Sequence, residues 1–272
     1  MKNTFSGLSA FSLVFLAWST TAFAANHTGM WWDPAKEGTG VYIEHLEEGN
    51  CICGAWYLYD ENGLPFWTTF WGTLAGNSAT VDLYSFTGPP LGGPWDVSSI
   101  HSFREGSATF DFNTDSSITM TFNVRNHAGR LDLVRFSLAI CPGWLWWDPE
   151  KPGQGVVFFP MGEIGENEEI AIAWYVYDST GNPVWYTALG PAREKNLPAN
   201  QFSGPRLGEP WDNSKLKSRT VGTIGMENIT GPQLTNQGLE MLESLTNIMS
   251  YSIQEVSGTL TIEPFWCESL CK

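Results

Sequence analysis

Charged residues are scarce and unbalanced in this 272-residue chain. Only 16% of it is Asp, Glu, Lys or Arg, and 29 acidic residues face 14 basic ones, for a net charge of −15 at pH 7. A surface so poor in positive charge repels phosphate backbones and acidic lipid, so neither nucleic acid nor an anionic membrane is an expected partner. Histidine is sparse as well: His27, His45, His101 and His127 all lie in the first half. No site repeated along the chain can therefore rest on imidazole, and the four read as surface or rim positions. Neither a G-x-S-x-G elbow nor an H-E-x-x-H zinc motif occurs, which removes two common hydrolase signatures. Beyond residue 24 no apolar run approaches the ~20 residues that a bilayer-spanning helix requires.

What is present argues for a folded, exported protein. Hydrophobic residues make up 42% and aromatic residues 14% of the chain, well above what a disordered segment carries. Lys2, an apolar stretch around Phe11–Trp18 and the small-residue ending Ala22-Phe23-Ala24 have the layout of a secretory signal peptide over residues 1–24. The expected location is thus secreted or periplasmic. Five cysteines remain: Cys51, Cys53, Cys141, Cys267 and Cys271. Outside the cytoplasm the default for them is disulfides, and the odd count leaves one unpaired or bonded to another chain. Their spacing does not match zinc knuckles. Cys51 and Cys53, two apart on an expected strand, share a face; one of them is expected to bridge to Cys141, and Cys267 to Cys271.

The strongest signal is an internal duplication. Trp31-Trp32-Asp33-Pro34 with Gly38-x-Gly40 returns as Trp146-Trp147-Asp148-Pro149 with Gly153-x-Gly155. The block from Ala55-Trp56-Tyr57 through Asp60, Gly63, Pro65 and Trp67 returns from Ala173-Trp174-Tyr175 through Asp178, Gly181, Pro183 and Trp185. Phe86-Thr87-Gly88-Pro89-x-Leu91-Gly92-x-Pro94-Trp95-Asp96 returns as Phe202-Ser203-Gly204-Pro205-x-Leu207-Gly208-x-Pro210-Trp211-Asp212. The offsets of 115, 118 and 116 residues place two similar domains at 25–140 and 141–272. Such recurrence marks a repeat architecture.

Each copy reads as an antiparallel β-meander of about six or seven strands, forming a small barrel or sandwich. Short runs rich in β-formers, such as Cys51 to Tyr59, alternate with Asn/Gly and Asp/Gly turns, as at Asp60 to Gly63 and Asp178 to Gly181. The second copy departs from the first between Gly225 and Met249, where Leu239, Met241, Leu242, Leu245, Ile248 and Met249 fall at helical spacing and predict one inserted amphipathic helix. The expected fold is therefore all-β, two tandem barrels or sandwiches with one short helix in the second.

These blocks resemble an uncharacterised family of secreted proteobacterial proteins with tandem W-W-[DN]-P, G-x-G and W-Y-x-Y-D-x-x-G-x-P-x-W repeats. The likeness spans nearly all of both copies. Gly29-x-Trp31 ahead of a first strand is also similar to the opening of avidin-like and lipocalin-like barrels. Neither resemblance brings an activity with it.

Candidate sites follow from the repeated residues. Asp33, Asp60 and Asp96, with Asp148, Asp178 and Asp212, each adjoin a turn-forming Pro or Gly, where a carboxylate braces backbone N–H groups. A hydrolytic pair of Asp33 with Asp96 is the catalytic alternative. Asp60-x-Asn62-Gly63 resembles the start of a calcium loop but lacks the trailing Glu, and no metal or cofactor is expected. Trp56 and Trp174 belong to mid-strand packing, and the first Trp of each W-W pair reads as a barrel plug. Trp32, Trp67 and Trp95, with Trp147, Trp185 and Trp211, lie near strand ends and loops, where a partly open indole can stack on a sugar or hold a small amphipathic ligand. With Asp96 and Asp212 they form the expected ligand-binding set. The leading expectation is a secreted, non-catalytic protein that binds an extracellular glycan, peptide or small ligand. The alternative is a structural or interaction module of the envelope or matrix that self-associates or binds a protein partner.

Overall fold

The computed structural model describes residues 27–46, 50–136, 144–161, 169–191, 194–227, 234–235, 238–239 and 247–265. The expected signal segment 1–24, the joint between the copies, and Cys141, Cys267 and Cys271 lie outside the described residues.

The first copy is a closed eight-stranded antiparallel barrel. Its strands are β1 (Gly29–Trp32), β2 (Gly40–Leu46), β3 (Cys51–Tyr59), β4 (Pro65–Thr73), β5 (Ser78–Thr87), β6 (His101–Thr114), β7 (Ser117–Val124) and β8 (His127–Arg135). They run as a simple meander, and β8 returns to pair with β1 through Trp31 opposite Arg135 and Trp32 opposite Val134. The second copy repeats this with β9 (Trp144–Trp147), β10 (Gly155–Met161), β11 (Glu169–Tyr177), β12 (Pro183–Pro191), β13 (Leu197–Ser203) and β14 (Lys217–Glu227). A two-residue pair, β15 (Leu234–Thr235) and β16 (Gly238–Leu239), precedes the closing strands β17 (Asn247–Ile253) and β18 (Val256–Pro264).

Each barrel thus has eight strands where the sequence pattern predicts six or seven. The overlooked strands are β5 and β13. In β5, Ala79, Val81 and Leu83 point inward while Thr80 and Asp82 alternate with them outward, a half-buried period-two pattern. The expected inserted helix is also corrected. Among the described residues the only helical pieces are 3-10 turns at Val97–Ser99 and Asn213–Lys215. Leu239 lies in β16, and Ile248 and Met249 lie in β17, where Met249 is buried and Ile248 exposed. Alternation of two therefore wins over the apparent period of 3.6; Met241, Leu242 and Leu245 lie outside the described residues.

Apolar side chains fill both barrels. Trp31, Trp56, Phe70 and Phe110 sit in the first core, and Trp146, Trp174, Ile224 and Met249 in the second. The expected packing roles of Trp31, Trp146, Trp56 and Trp174 are what the structure gives them. Each mid-strand indole finds a buried acceptor just before the second strand of its barrel: Trp56 donates to Thr39 Oγ1 at 3.1 Å and Trp174 to Gln154 Oε1 at 3.0 Å. Apolar inside and polar outside is the reverse of a barrel that faces lipid.

One stretch breaks that rule. All nine residues of β3 are buried, although a barrel has only one interior. The outward set, Ala55, Tyr57 and Tyr59, instead packs with Tyr42 and Trp67 against Val157, Phe159, Ala173, Tyr175, Tyr177 and Trp185 of the second barrel. The two copies meet through equivalent residues, so the seam has a local pseudo-two-fold. Trp67 Nε1 donates to Val176 O and Trp185 Nε1 donates to Leu58 O, both at 3.2 Å. Gly88 N donates to Gly181 O and Gly204 N to Gly63 O, both at 3.0 Å. A Cβ on Gly88 would overlap the Tyr177 ring, and one on Gly204 the Tyr59 ring, so these loops reach the opposite barrel only as glycine.

Burying a Trp here both removes a large apolar area from water and satisfies a carbonyl across the seam. We expect Trp67→Ala to lower the unfolding free energy by about 3–5 kcal/mol in urea denaturation, and Phe103→Ala, at an exposed position, to change it by less than about 0.5 kcal/mol. Equal effects would show that the seam adds nothing to stability.

Candidate functional site

The repeated loops carry the residues expected to bind ligand, and the structure turns most of them toward the other barrel. Trp67 and Trp185 are 1% and 4% exposed within the seam. Trp95 packs on Tyr177 and Trp211 on Tyr59, with ring centroids 6.1 and 6.2 Å apart. These loops do not ring open barrel mouths, because Gly88-Pro89 and Gly204-Pro205 bring them flush against the opposite barrel. Trp211 Nε1 donates to Asn213 Oδ1 at 2.8 Å. Val97 stands where copy two has Asn213, and the Trp95 N–H is buried with no partner.

The aspartates brace turns, as expected. Asp96 Oδ1 accepts from Ser98 N at 2.9 Å and Asp212 Oδ1 from Ser214 N at 3.0 Å, each capping a 3-10 turn. The Ser98 and Ser214 hydroxyls and amides hold both exposed carboxyls below the usual range. Asp33, 5% exposed, accepts from Ala35 N and Asp132 N within its own barrel. The Asp96 loop docks on the second barrel through Gly88 and Leu91, so the sequence-derived carboxylate pair of Asp33 with Asp96 serves two separate loops. Asp60 and Asp178 each accept two amides of their own hairpin turn. Among the described residues no cluster of three or more His, Cys, Asp or Glu could hold a metal ion.

The second Trp of each W-W pair lies on the outer barrel face. Trp32 meets Phe136 edge-on at 5.7 Å, and Trp147 meets Phe265 edge-on at 5.5 Å. Trp147 and Phe265 form one wall of a cleft of about 340 Å³ beside the seam. Its floor and opposite wall come from the first barrel: Cys53 and Gly54 of β3, Trp67, Thr69 and Trp71 of β4, and Phe86 of β5. Leu145, Pro152, Gly153, Gln154 and Tyr175 complete the second barrel's side. The volume lies in the range of small-molecule clefts, and the mostly apolar lining suits an amphipathic occupant. Of the eight expected residues, the structure thus brings Trp67 and Trp147 together at an accessible cavity.

Trp71, 37% exposed, is the lining residue that sequence reasoning missed. The usable signal was an asymmetry. Strands β4 and β12 match residue for residue from Pro65 and Pro183, which sets Trp71 against Leu189. Pro152 and Gln154 likewise stand against Glu37 and Thr39. Attention to duplicated aromatics passes over an aromatic that occurs once.

Buried titratable groups gather at one end of the first barrel, around the end of β2. Glu44 on β2 is 9% exposed, and burial raises its carboxyl to about 8. It lies beside Tyr42, whose phenol is pushed far up first by burial and then by Glu44. His27 and His45 correct the rim assignment: they are 8% and 6% exposed and stack on one another at 5.3 Å, with Phe112 4.1 Å from His27. Burial, then His45 and then Arg135, lowers His27 to about 4. His101 is exposed, as expected, and His127 packs at Gly208. Cys51 and Cys53 are buried on the outer face of β3.

Comparison with family models, with curated proteins and with solved structures finds no match for this chain.

Glu44 and His27 act on stability with opposite signs. Glu44 keeps its proton to about pH 8 when folded but releases it near 4.5 when unfolded, so stability falls as pH rises through that window. His27 gains its proton only near pH 4 when folded but near 6.5 when unfolded, so stability falls as pH drops through that window. Urea denaturation across pH 4 to 9 should show Glu44→Gln flattening the alkaline fall and His27→Phe flattening the acid fall. Unchanged slopes in either variant would mean that the group is not the source.

Proposed function

We propose that the protein is an exported, non-catalytic recognition module whose ligand occupies the cleft between Trp71 of the first barrel and Trp147 of the second. The observation that carries this reading is the meeting of three indoles at one cavity: duplicated Trp67 and Trp147 line the cleft, and Trp71, which has no counterpart in the second barrel, completes it. The duplicated carboxylates are committed to backbone amides, which leaves them as braces rather than proton donors. The ligand class is an extracellular glycan, peptide or small amphipathic molecule.

Export is supported by the signal-like residues 1–24, and in the periplasm or the extracellular space Cys51 and Cys53 would be disulfide-bonded. Side chains two apart on one strand point in parallel and do not bond each other readily. We therefore propose that each takes a separate partner among the remaining cysteines, an alternative to the Cys267–Cys271 bridge that leaves one thiol. Non-reducing peptide mapping should find Cys51 and Cys53 in two different cross-linked peptides with one free cysteine per chain. A peptide linking Cys267 to Cys271 would refute this pairing.

Binding is tested with the purified mature protein on glycan and peptide arrays, followed by calorimetry and Trp fluorescence on the hits. Trp147→Ala should abolish binding of the strongest hit while its melting curve stays close to that of the parent. If no ligand registers, or if the hit is indifferent to Trp147→Ala and Trp71→Ala alike, the cleft is not a recognition site. The interaction-module reading has its own support in the exposed side chains of Leu64, Val97 and Phe103; concentration-dependent self-association in sedimentation would favour it.

A further inference from the structure

Next to the cleft, β4 and β5 carry a second, shallower groove of about 290 Å³, lined by Trp71, Thr80, Val81, Asp82 and Tyr84. Trp71 belongs to both hollows, so its indole stands between the cleft and the groove. Its indole stacks on the Tyr84 ring with centroids 5.0 Å apart and planes 15° from parallel. That contact covers one face of the indole and fixes its tilt, and the remaining exposure belongs to the other face and edge. A platform held in place before binding loses little entropy when a ligand lands on it.

Polar groups flank the platform. Arg104 donates to Asp82 Oδ1 at 2.6 Å, with both side chains about half exposed. Arg104, and to a lesser degree the Tyr84 hydroxyl, hold the Asp82 carboxyl below its ordinary range, so it stays an acceptor. The pair presents free carboxylate lone pairs beside free guanidinium N–H groups, an arrangement that serves neighbouring hydroxyls acting as donor and acceptor at once. Thr80 and Thr109, hydrogen-bonded at 2.9 Å, add hydroxyls at the groove's border.

None of this is repeated in the second barrel. The strands align through the shared bulges at Leu83/Tyr84 and Ala199/Asn200, which sets Trp71, Asp82, Tyr84 and Arg104 against Leu189, Pro198, Asn200 and Thr220. An aromatic pair and an ion pair would have to appear together at one place for no shared structural reason, since the second barrel closes without them.

We propose that this groove binds a neutral saccharide chain of gluco-configured pyranoses, whose equatorial hydroxyls leave an axial C–H face to lie on Trp71 while the hydroxyls at the ring edge reach Asp82 and Arg104. The proposal rests on the recognition reading above and names its ligand class. An open, shallow path suits a chain lying along the surface better than a compact molecule, which needs an enclosing pocket. Charge selects against acidic polysaccharide: the protein carries a net −15, and its one groove guanidinium is already paired. A peptide is the alternative occupant, which the decapeptide in the test separates from a saccharide.

The test uses the mature protein with cellohexaose and chitohexaose, an oligogalacturonate as anionic comparator, and a proline-rich decapeptide, read by calorimetry and Trp fluorescence. At least one neutral hexasaccharide should bind, and the oligogalacturonate and decapeptide should not. Trp71→Ala should weaken binding tenfold or more, Trp71→Phe less, and Asp82→Asn severalfold, while Leu189→Ala on the second barrel leaves it unchanged. Near-UV circular dichroism and melting curves identify any variant that has lost its fold, and Asp82→Asn, exposed and outside the core, keeps the test decisive if Trp71→Ala unfolds. Absence of binding by both neutral hexasaccharides, or equal binding by Trp71→Ala and Asp82→Asn, overturns the proposal; so does binding of the decapeptide alone. If a different ligand from the arrays is lost in Trp147→Ala while the hexasaccharides fail, the recognition reading stands and the saccharide assignment falls.

Discussion

A strand apolar on both sides cannot be satisfied by a single barrel, and β3 and β11 are such strands. One face of each lines its own core, and the other would lie in water at a cost of roughly 1.5–3 kcal/mol per large side chain. Docking the barrels through Tyr57, Tyr59, Trp67 and their counterparts removes that cost for both at once. The rest of the architecture follows from this contact. It fixes where the Gly-Pro loops lie, why Gly88 and Gly204 lack side chains, and where the remaining gap beside the seam opens as a cleft.

The barrel class, the duplication and the plugging role of Trp31 and Trp146 were legible from the sequence, because period-two alternation and repeated blocks are local signals. The seam was not. Trp67 near a strand end looks the same whether its indole meets water or a carbonyl 109 residues away. The inserted helix failed for a related reason, since the apolar spacing around Ile248 and Met249 fits two periods and only the neighbouring strands β14 and β18 decide between them. Buried His27 and His45 were equally opaque: a stacked imidazole pair depends on which strands close the barrel end.

The groove around Trp71 sits where the copies disagree. The shared residues of the seam, such as Tyr57, Tyr59 and Trp185, are constrained twice, once in their own barrel and again across the seam, and they are spent on stability. Trp71, Asp82, Tyr84 and Arg104 carry no such double constraint. Their grouping on one outer face reflects the freedom of positions that the pseudo-two-fold does not use.

The near-equivalence of the two sides of the seam has a consequence for valency. A contact in which each half offers the same residues is the kind that joins two identical single-barrel subunits, and in such a dimer every substitution appears twice. Covalent fusion lifts that restriction. A joined chain can keep the mutual embrace while endowing only one partner, so doubling here yields asymmetry instead of avidity.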